Sequence, residues 1–374
     1  MKRFRGMEGS LKFFSQPGGP VVLFLCLVCI SIFCRAPVAA AGNFSITMEN
    51  DFFGSAGTDR YFTNGLNLTF VDDPAWCWLE DLTRLSHGHG LSASVPRLVS
   101  TTLGQDIYTP QDIETHDLIV DDRPYAGWLY LGLGVHERTL LPEPGAAEEN
   151  QAWQIQDSTE IILGMIGPQS YAGDVQYWWH EKVIGFNNTR EPSGWDNQLA
   201  NEPAFALLRE RKWRLRNNLL DSPWLVFDFI PHLGAAAGTV TTYASAGGEA
   251  RLGWWLPDDF GSAKHRAGLS PVRISSPHWT TRNGCGRRFT PVSFHLFSKV
   301  EGRGVLRDIF LDGNTFTDSH SVDRKPLIFS VLAGASILFG QRIEAIFTHV
   351  YQSKEFDGQD LAHVFGTLTI SFYW

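Results

Sequence analysis

Polar and apolar residues alternate along most of this chain. In the final window Leu368, Ile370, Phe372 and Trp374 share one face while Thr367, Thr369, Ser371 and Tyr373 share the other. That period of two is the signature of a strand with one apolar and one polar side. The same reading applies to windows 44–49, 62–71, 98–107, 125–136, 154–165, 203–215, 224–237, 242–255, 292–305, 327–339 and 343–352, so with 363–374 twelve strands are predicted. Many approach the roughly 9 to 11 residues that cross a bilayer at a tilt, and aromatics cluster near their ends. Window 203–215 fits worst, because Arg209, Glu210, Arg211, Lys212 and Arg214 need a polar lumen or a protruding strand end.

No segment beyond residue 41 approaches the ~20 apolar residues of a transmembrane helix, so a membrane-spanning form has to be a closed barrel. A soluble β-sandwich or barrel exported to the periplasm would alternate too. Spanning length favours an all-β, twelve-stranded antiparallel transmembrane barrel over residues 42–374, one domain without internal repeats. Gly340 and Gln341 predict a short periplasmic turn, and the polar, Gly-, Pro- and Ser-rich stretch 257–288 an outer loop.

One segment departs from the period of two. Between residues 173 and 184, Val175, Trp179 and Val183 recur every fourth position, and Gln176 and His180 stand four apart on a neighbouring face. With Pro168 and Gly173 at its entry and Asp174 in its first turn, this is a short helix in an outer loop. Trp178 and Trp179 read as packing residues or as anchors at a membrane surface.

Composition narrows the function classes. The 374 residues include 36 Gly and 26 Phe, 13 Trp and 9 Tyr against only 19% charged residues, which suits β structure and argues against disorder. Lys2, Arg3, Arg5 and Lys12 precede an apolar run over 21–34 and small residues through Ala40 and Ala41, so residues 1–41 read as a signal peptide. Its removal leaves 26 basic against 39 acidic residues, net −13, which offers no footprint for nucleic acid. It also leaves only Cys77 and Cys285, enough for one disulfide and too few for a cysteine metal cage. A monomer is the simplest expectation.

Taken alone, His180 is a poised titratable group on a helix, more often polar surface than catalyst, and Asn50-Asp51 before Gly54 is ordinary turn chemistry. The absence of a G-x-S-x-G motif lowers the expectation of a serine nucleophile on an α/β-hydrolase scaffold. In combination the residues say more. Asn50-Asp51, Tyr61-Phe62-Thr63-Asn64-Gly65, Gln105-Asp106-Ile107-Tyr108-Thr109-Pro110, Asp122-Arg123-Pro124-Tyr125-Ala126-Gly127, Ile166-Gly167-Pro168, Val175-Gln176, His180 and Ile184-Gly185 occur in that order. This series resembles the lipid A 3′-O-deacylase family of Gram-negative outer membranes.

The resemblance implies an enzyme of the outer membrane that acts on lipid A in lipopolysaccharide, with its site between the barrel wall and a loop helix. It implies His180 as general base on water, Asn50 and Thr63 completing the site, Gln176 as the helix glutamine of the motif, and Asp51 as ligand of a divalent cation taken to be Ca2+. That chemistry suits ester hydrolysis, which needs an activated nucleophile and stabilisation of the developing oxyanion. The alternative is a non-enzymatic barrel, a channel or structural protein. Two features sit awkwardly. Residues 113–120 lack the Lys-Arg pair that the family carries before its Asp-Arg motif, so Arg123 or another loop supplies the charge for lipid phosphates, or the substrate differs. Strand parity also puts Asn50 in phase with Phe44, Ile46 and Met48, and Asp51 in phase with Thr47 and Glu49, so both point the same way only if the strand ends or bulges.

Overall fold

The computed structural model describes residues 42–54, 60–72, 97–141, 153–181, 191–218, 225–262, 281–282, 288–289, 292–340 and 342–374. The expected signal peptide and the expected Cys77–Cys285 disulfide lie outside the described residues. Twelve antiparallel strands close into one barrel. In chain order they are β1 (Asn43–Asn50), β2 (Tyr61–Asp72), β3 (Arg97–Thr109), β4 (Ala126–Leu141), β5 (Trp153–Ile166) and β6 (Glu202–Asn218). They continue with β7 (Leu225–Gly238), β8 (Thr241–Trp254), β9 (Ser293–Asp308), β10 (Leu327–Phe339), β11 (Ile343–Gln352) and β12 (His363–Tyr373). Every predicted window falls on one of them. β1 pairs with β12 from Asn43 opposite Tyr373 to Asn50 opposite Gly366, and that closure removes the sheet edge a bilayer would not tolerate.

The polar face of each strand turns inward. Ser45 and Thr47 of β1 hydrogen-bond Ser371 (2.8 Å) and Thr369 (3.0 Å) of β12 inside the barrel, while Ile370 and Phe372 are exposed on the outside, as are Phe329, Val331, Phe347 and Tyr351 of β10 and β11. The crowded charges of β6 divide by the same rule. Glu210 and Arg214 are buried toward the lumen, whereas Arg209 and Arg211 face outward and both pair with Asp157 of β5, at 3.0 and 2.8 Å.

The lumen is filled from both ends. A turn of helix after β9, α2 (Ile309–Asp312), buries Ile309, Phe310 and Leu311, and Phe310 stacks on Tyr108 with ring centroids 4.0 Å apart. At the other end, residues 255–262 fold back into the barrel mouth. Asp228 of β7 accepts from Arg214 Nε (2.8 Å) and from Arg251 Nε and Nη2 (2.8 and 2.7 Å). The two arginines also grip the returning chain through Asp258, Asp259 and the Pro257 carbonyl (3.0 Å). Burying such charges is tolerable because each is both paired and hydrogen-bonded.

Topology corrects one expectation. The connection from β8 to β9, which holds 257–288, starts and finishes at the barrel end that carries the Gly340 turn and the first and last strand termini, not at the end of the predicted helix. Eight crossings, an even number, return the chain to the side where it started, and loop length and polarity carry no information about that side.

Candidate active site

The register of the first four strands defines a row of residues on the outer wall. Asn50 lies opposite Asn64, Asn64 opposite Ile107 and Ile107 opposite Gly127, next to a lumen-facing row of Glu49, Gly65, Asp106 and Trp128. Asn50 and Ile107 point away from the lumen and are nevertheless buried, so something covers the wall there.

Over β3 and β4 the cover is the loop between β5 and β6. Pro168–Ser170 forms a 3-10 turn, and α1 (Ala172–Trp179) follows, with a π-type turn at residues 180 and 181. The expected helix spans 173–184; its residues beyond 181 lie outside the described set. Gln105 of β3 donates Nε2 to the Ser170 carbonyl at 2.6 Å. A Cβ added to Gly127 would come within 2.1 Å of Ser170 Oγ and 2.2 Å of Ala172 Cβ, so the helix start rests directly on the wall where β4 has no side chain.

The face of α1 against the wall is not the apolar one. Ala172, Gln176 and His180, four apart, are buried, whereas Val175, Tyr177 and Trp178 are exposed. Against a membrane barrel this inversion is expected, since lipid surrounds the outer wall and a polar group is better hidden from it than an apolar one. The helix contacts β4 and β3. From Ala172 to His180 the rise is about 12 Å, close to the roughly 14 Å of three strand spacings that separate Gly127 from Asn50. His180 is the last buried position on this stripe, and Asn50 is the far end of the row from Gly127.

At that end the parity problem is resolved. β1 stops at Asn50 and Asp51 opens a 3-10 turn, Asp51–Phe53, so the two neighbours are freed from strand alternation and both are buried. The Asp51 carboxylate accepts the Arg60 N–H at 2.8 Å, and Asn50 Nδ2 donates to the Thr63 carbonyl at 3.0 Å. In β2 the register slips between Phe62 and Asn64, which leaves Thr63 as the extra residue of a bulge. Phe62 packs inward on Phe365 and Tyr108, while the Thr63 hydroxyl shares a 2.7 Å hydrogen bond with Thr109 on the outer face. A bulge is a way to re-aim one side chain beside a site.

Two bulky residues in the left-handed region flank the site, Tyr61 (φ 66°) before the bulge and Tyr171 (φ 57°) before α1. Such conformations cost about 1–3 kcal/mol and persist only where the surroundings enforce them. Tyr61 is held by its hydroxyl, which donates to Gln111 Oε1 at 2.7 Å, and by edge contacts to Phe356 and His363.

The Asp-Arg motif turns out to be structural. Burial raises the Asp122 carboxyl above the usual carboxylate range although the Gln111 and Arg123 N–H groups, each at 2.7 Å, pull it down. Arg123 is buried, ion-paired with Glu355 at 3.1 Å and set over the Tyr108 ring, so it is not the surface cation suggested for lipid phosphates. Among the described residues no three His, Cys, Asp or Glu side chains gather closely enough to hold a metal ion. Calcium does not require such a trio, since it also takes amide and backbone carbonyl oxygens. Asp51 offers a buried carboxylate, a donor of that kind.

Sequence reasoning gave no role to Gly127, Gln105 or Thr109, although each lies inside one of the motifs. Trp195 it missed altogether: its indole N–H donates to Gln176 Oε1 at 2.8 Å from a point 19 residues away, with no periodic or motif signal to announce it.

The sequence matches the family of outer membrane protein LpxR over residues 22–374. The chain belongs to that family. Membership places the barrel in the outer membrane and sets aside the soluble periplasmic reading. LpxR from Salmonella typhimurium is similar in structure, with a TM-score of 0.63 at 20% identity over 89% of this chain and 100% of that one. The KdgM porin matches with a TM-score of 0.36 at 4% identity, over 89% of this chain and 99% of that one. The β domain of the Bordetella autotransporter BrkA matches with a TM-score of 0.40 at 9% identity, over 90% and 100%. No curated protein matches the sequence.

Proposed function

We propose that this LpxR-family barrel hydrolyses the 3′-O-linked acyl chain of lipid A. What supports the reading is the outer wall itself: Gln176 and His180 are buried on the face of α1 that lies over β3 and β4, and Asn50, Asp51 and Thr63 are buried at the rim of β1 and β2. A seam on the lipid side of the wall suits a substrate whose acyl chains already lie in the leaflet, whereas a filled lumen does not suit the alternative of a channel.

In this mechanism the neutral His180 imidazole takes a proton from water, the resulting hydroxide attacks the 3′-ester carbonyl, and His180 returns the proton to the departing sugar oxygen. Asn50 and Thr63 hold the rim geometry through their mutual contact and the Thr109 hydroxyl, and Gln176 lies buried one helical turn before His180. Asp51 with neighbouring amide and carbonyl oxygens would hold Ca2+, which when bound supplies positive charge against the oxyanion. Residues 1–41 direct export and are removed, and the mature barrel acts as a monomer.

The test is mass spectrometry of lipid A incubated with purified protein. His180→Ala should keep the barrel folded and lower 3′-deacylation by about 10²-fold or more, the contribution of a positioned base. Asp51→Ala should mimic chelation of divalent ions, with calcium restoring only the wild type. A His180→Ala protein that works at the wild-type rate ends the base assignment, and indifference to chelator ends the metal assignment.

A further inference from the structure

Gln176 is held by a device that lies outside the family motifs. Its side chain is 2% exposed, and Oε1 accepts the Trp195 indole N–H at 2.8 Å. An indole can only donate, so the amide oxygen must face Trp195 and the amide nitrogen must point the other way. Nε2 is buried and, among the described residues, has no hydrogen-bond partner. Leaving such a donor unsatisfied costs about 1–3 kcal/mol, which a partner arriving with the substrate would relieve.

Trp195 is itself held by two neighbours, Tyr125 and Gly173. It opens a 3-10 turn, Trp195–Asn197, tied to the β3–β4 loop by Asn197 Nδ2 to the His116 carbonyl at 2.7 Å. One side of its ring meets Tyr125 at a centroid distance of 5.0 Å, and Tyr125 donates to the Ile113 carbonyl at 3.0 Å. The ring also lies on α1 at Gly173, where an added Cβ would stand 3.1 Å from the indole. The ring therefore packs flat on the helix and reaches Gln176, one turn further along, with a single polar atom.

We propose that Trp195 is a positioning residue: it fixes the Gln176 amide so that Nε2 donates to the carbonyl oxygen of the scissile ester as negative charge develops there. The assignment rests on the deacylase reading above. It goes beyond it in giving Gln176 a direction and a partner. Preorganised donors of this kind contribute through being already aimed when charge appears.

Trp195→Phe keeps most of the ring and removes only the N–H. Deacylation of lipid A by the full-length variant should show kcat lowered about 10-fold or more with KM nearly unchanged, since loss of one oxyanion donor typically lowers kcat by about 10²–10³. In a Gln176→Ala background the same substitution should have no further effect, because the amide it orients is gone. Trp195→Phe at the wild-type rate overturns the proposal, and so does an equal slowing in the Gln176→Ala background, which would mark Trp195 as mere loop packing. Wild-type protein that releases no acyl chain would instead overturn the deacylase reading, and the role of Trp195 with it.

Discussion

Gly127→Ala tests whether catalysis depends on how closely α1 sits on the wall. The added methyl would stand 2.2 Å from Ala172 Cβ and 2.1 Å from Ser170 Oγ. Ordinary carbon contacts lie at about 3.5–4.0 Å, so the helix start must lift by more than about 1 Å. Overpacking of this kind costs about 1–3 kcal/mol, which a closed twelve-stranded barrel should absorb without unfolding. The seam is less forgiving, because a misplacement of about 1 Å at a site can lower a rate about 10²-fold. The expected result is a loss of that order in 3′-acyl release, followed by mass spectrometry, with an unchanged mobility shift between unboiled and boiled samples on a gel. Gly304→Ala is the matched control, since its nearest neighbour would be 4.0 Å away, and it should be silent. Adding Ala172→Gly should recover part of the activity. A folded Gly127→Ala protein with the wild-type rate would refute the claim that α1 and the wall form the site.

Two further outcomes follow from the lumen. Asp228→Ala leaves Arg214 and Arg251 without the carboxylate they share and should lower stability by about 3–5 kcal/mol in denaturant unfolding, while the deacylation rate, set at the other end of the barrel, stays unchanged. Wild-type protein in a planar bilayer should carry no stepwise current; steady porin-like conductance would contradict the filled barrel.

All twelve strands were legible because alternation in a barrel is a one-dimensional signal, written separately in each strand. The site was legible only in part. Asn50 and Thr63 could be named from motif order, yet the strand end that releases Asp51 and the bulge that turns Thr63 outward depend on how β1, β2 and β3 are registered against one another. The helix was legible as a helix, but not which of its faces lies on the wall, because sequence alone does not say whether a helix is surrounded by water or by lipid. Trp195 reaches Gln176 across a loop, and a contact of that kind leaves no period to read.

The buried carboxylate–arginine cluster at one mouth and the Phe310 turn at the other have a consequence for the cell that carries this barrel. An outer membrane excludes toxic solutes only as well as its leakiest pore. A barrel whose bore is closed by its own side chains can be expressed in many copies without opening a route for small polar molecules. Abundance of the protein and tightness of the membrane are thereby uncoupled: the copy number can be set by how much of the surface must be remodelled, with no penalty in permeability.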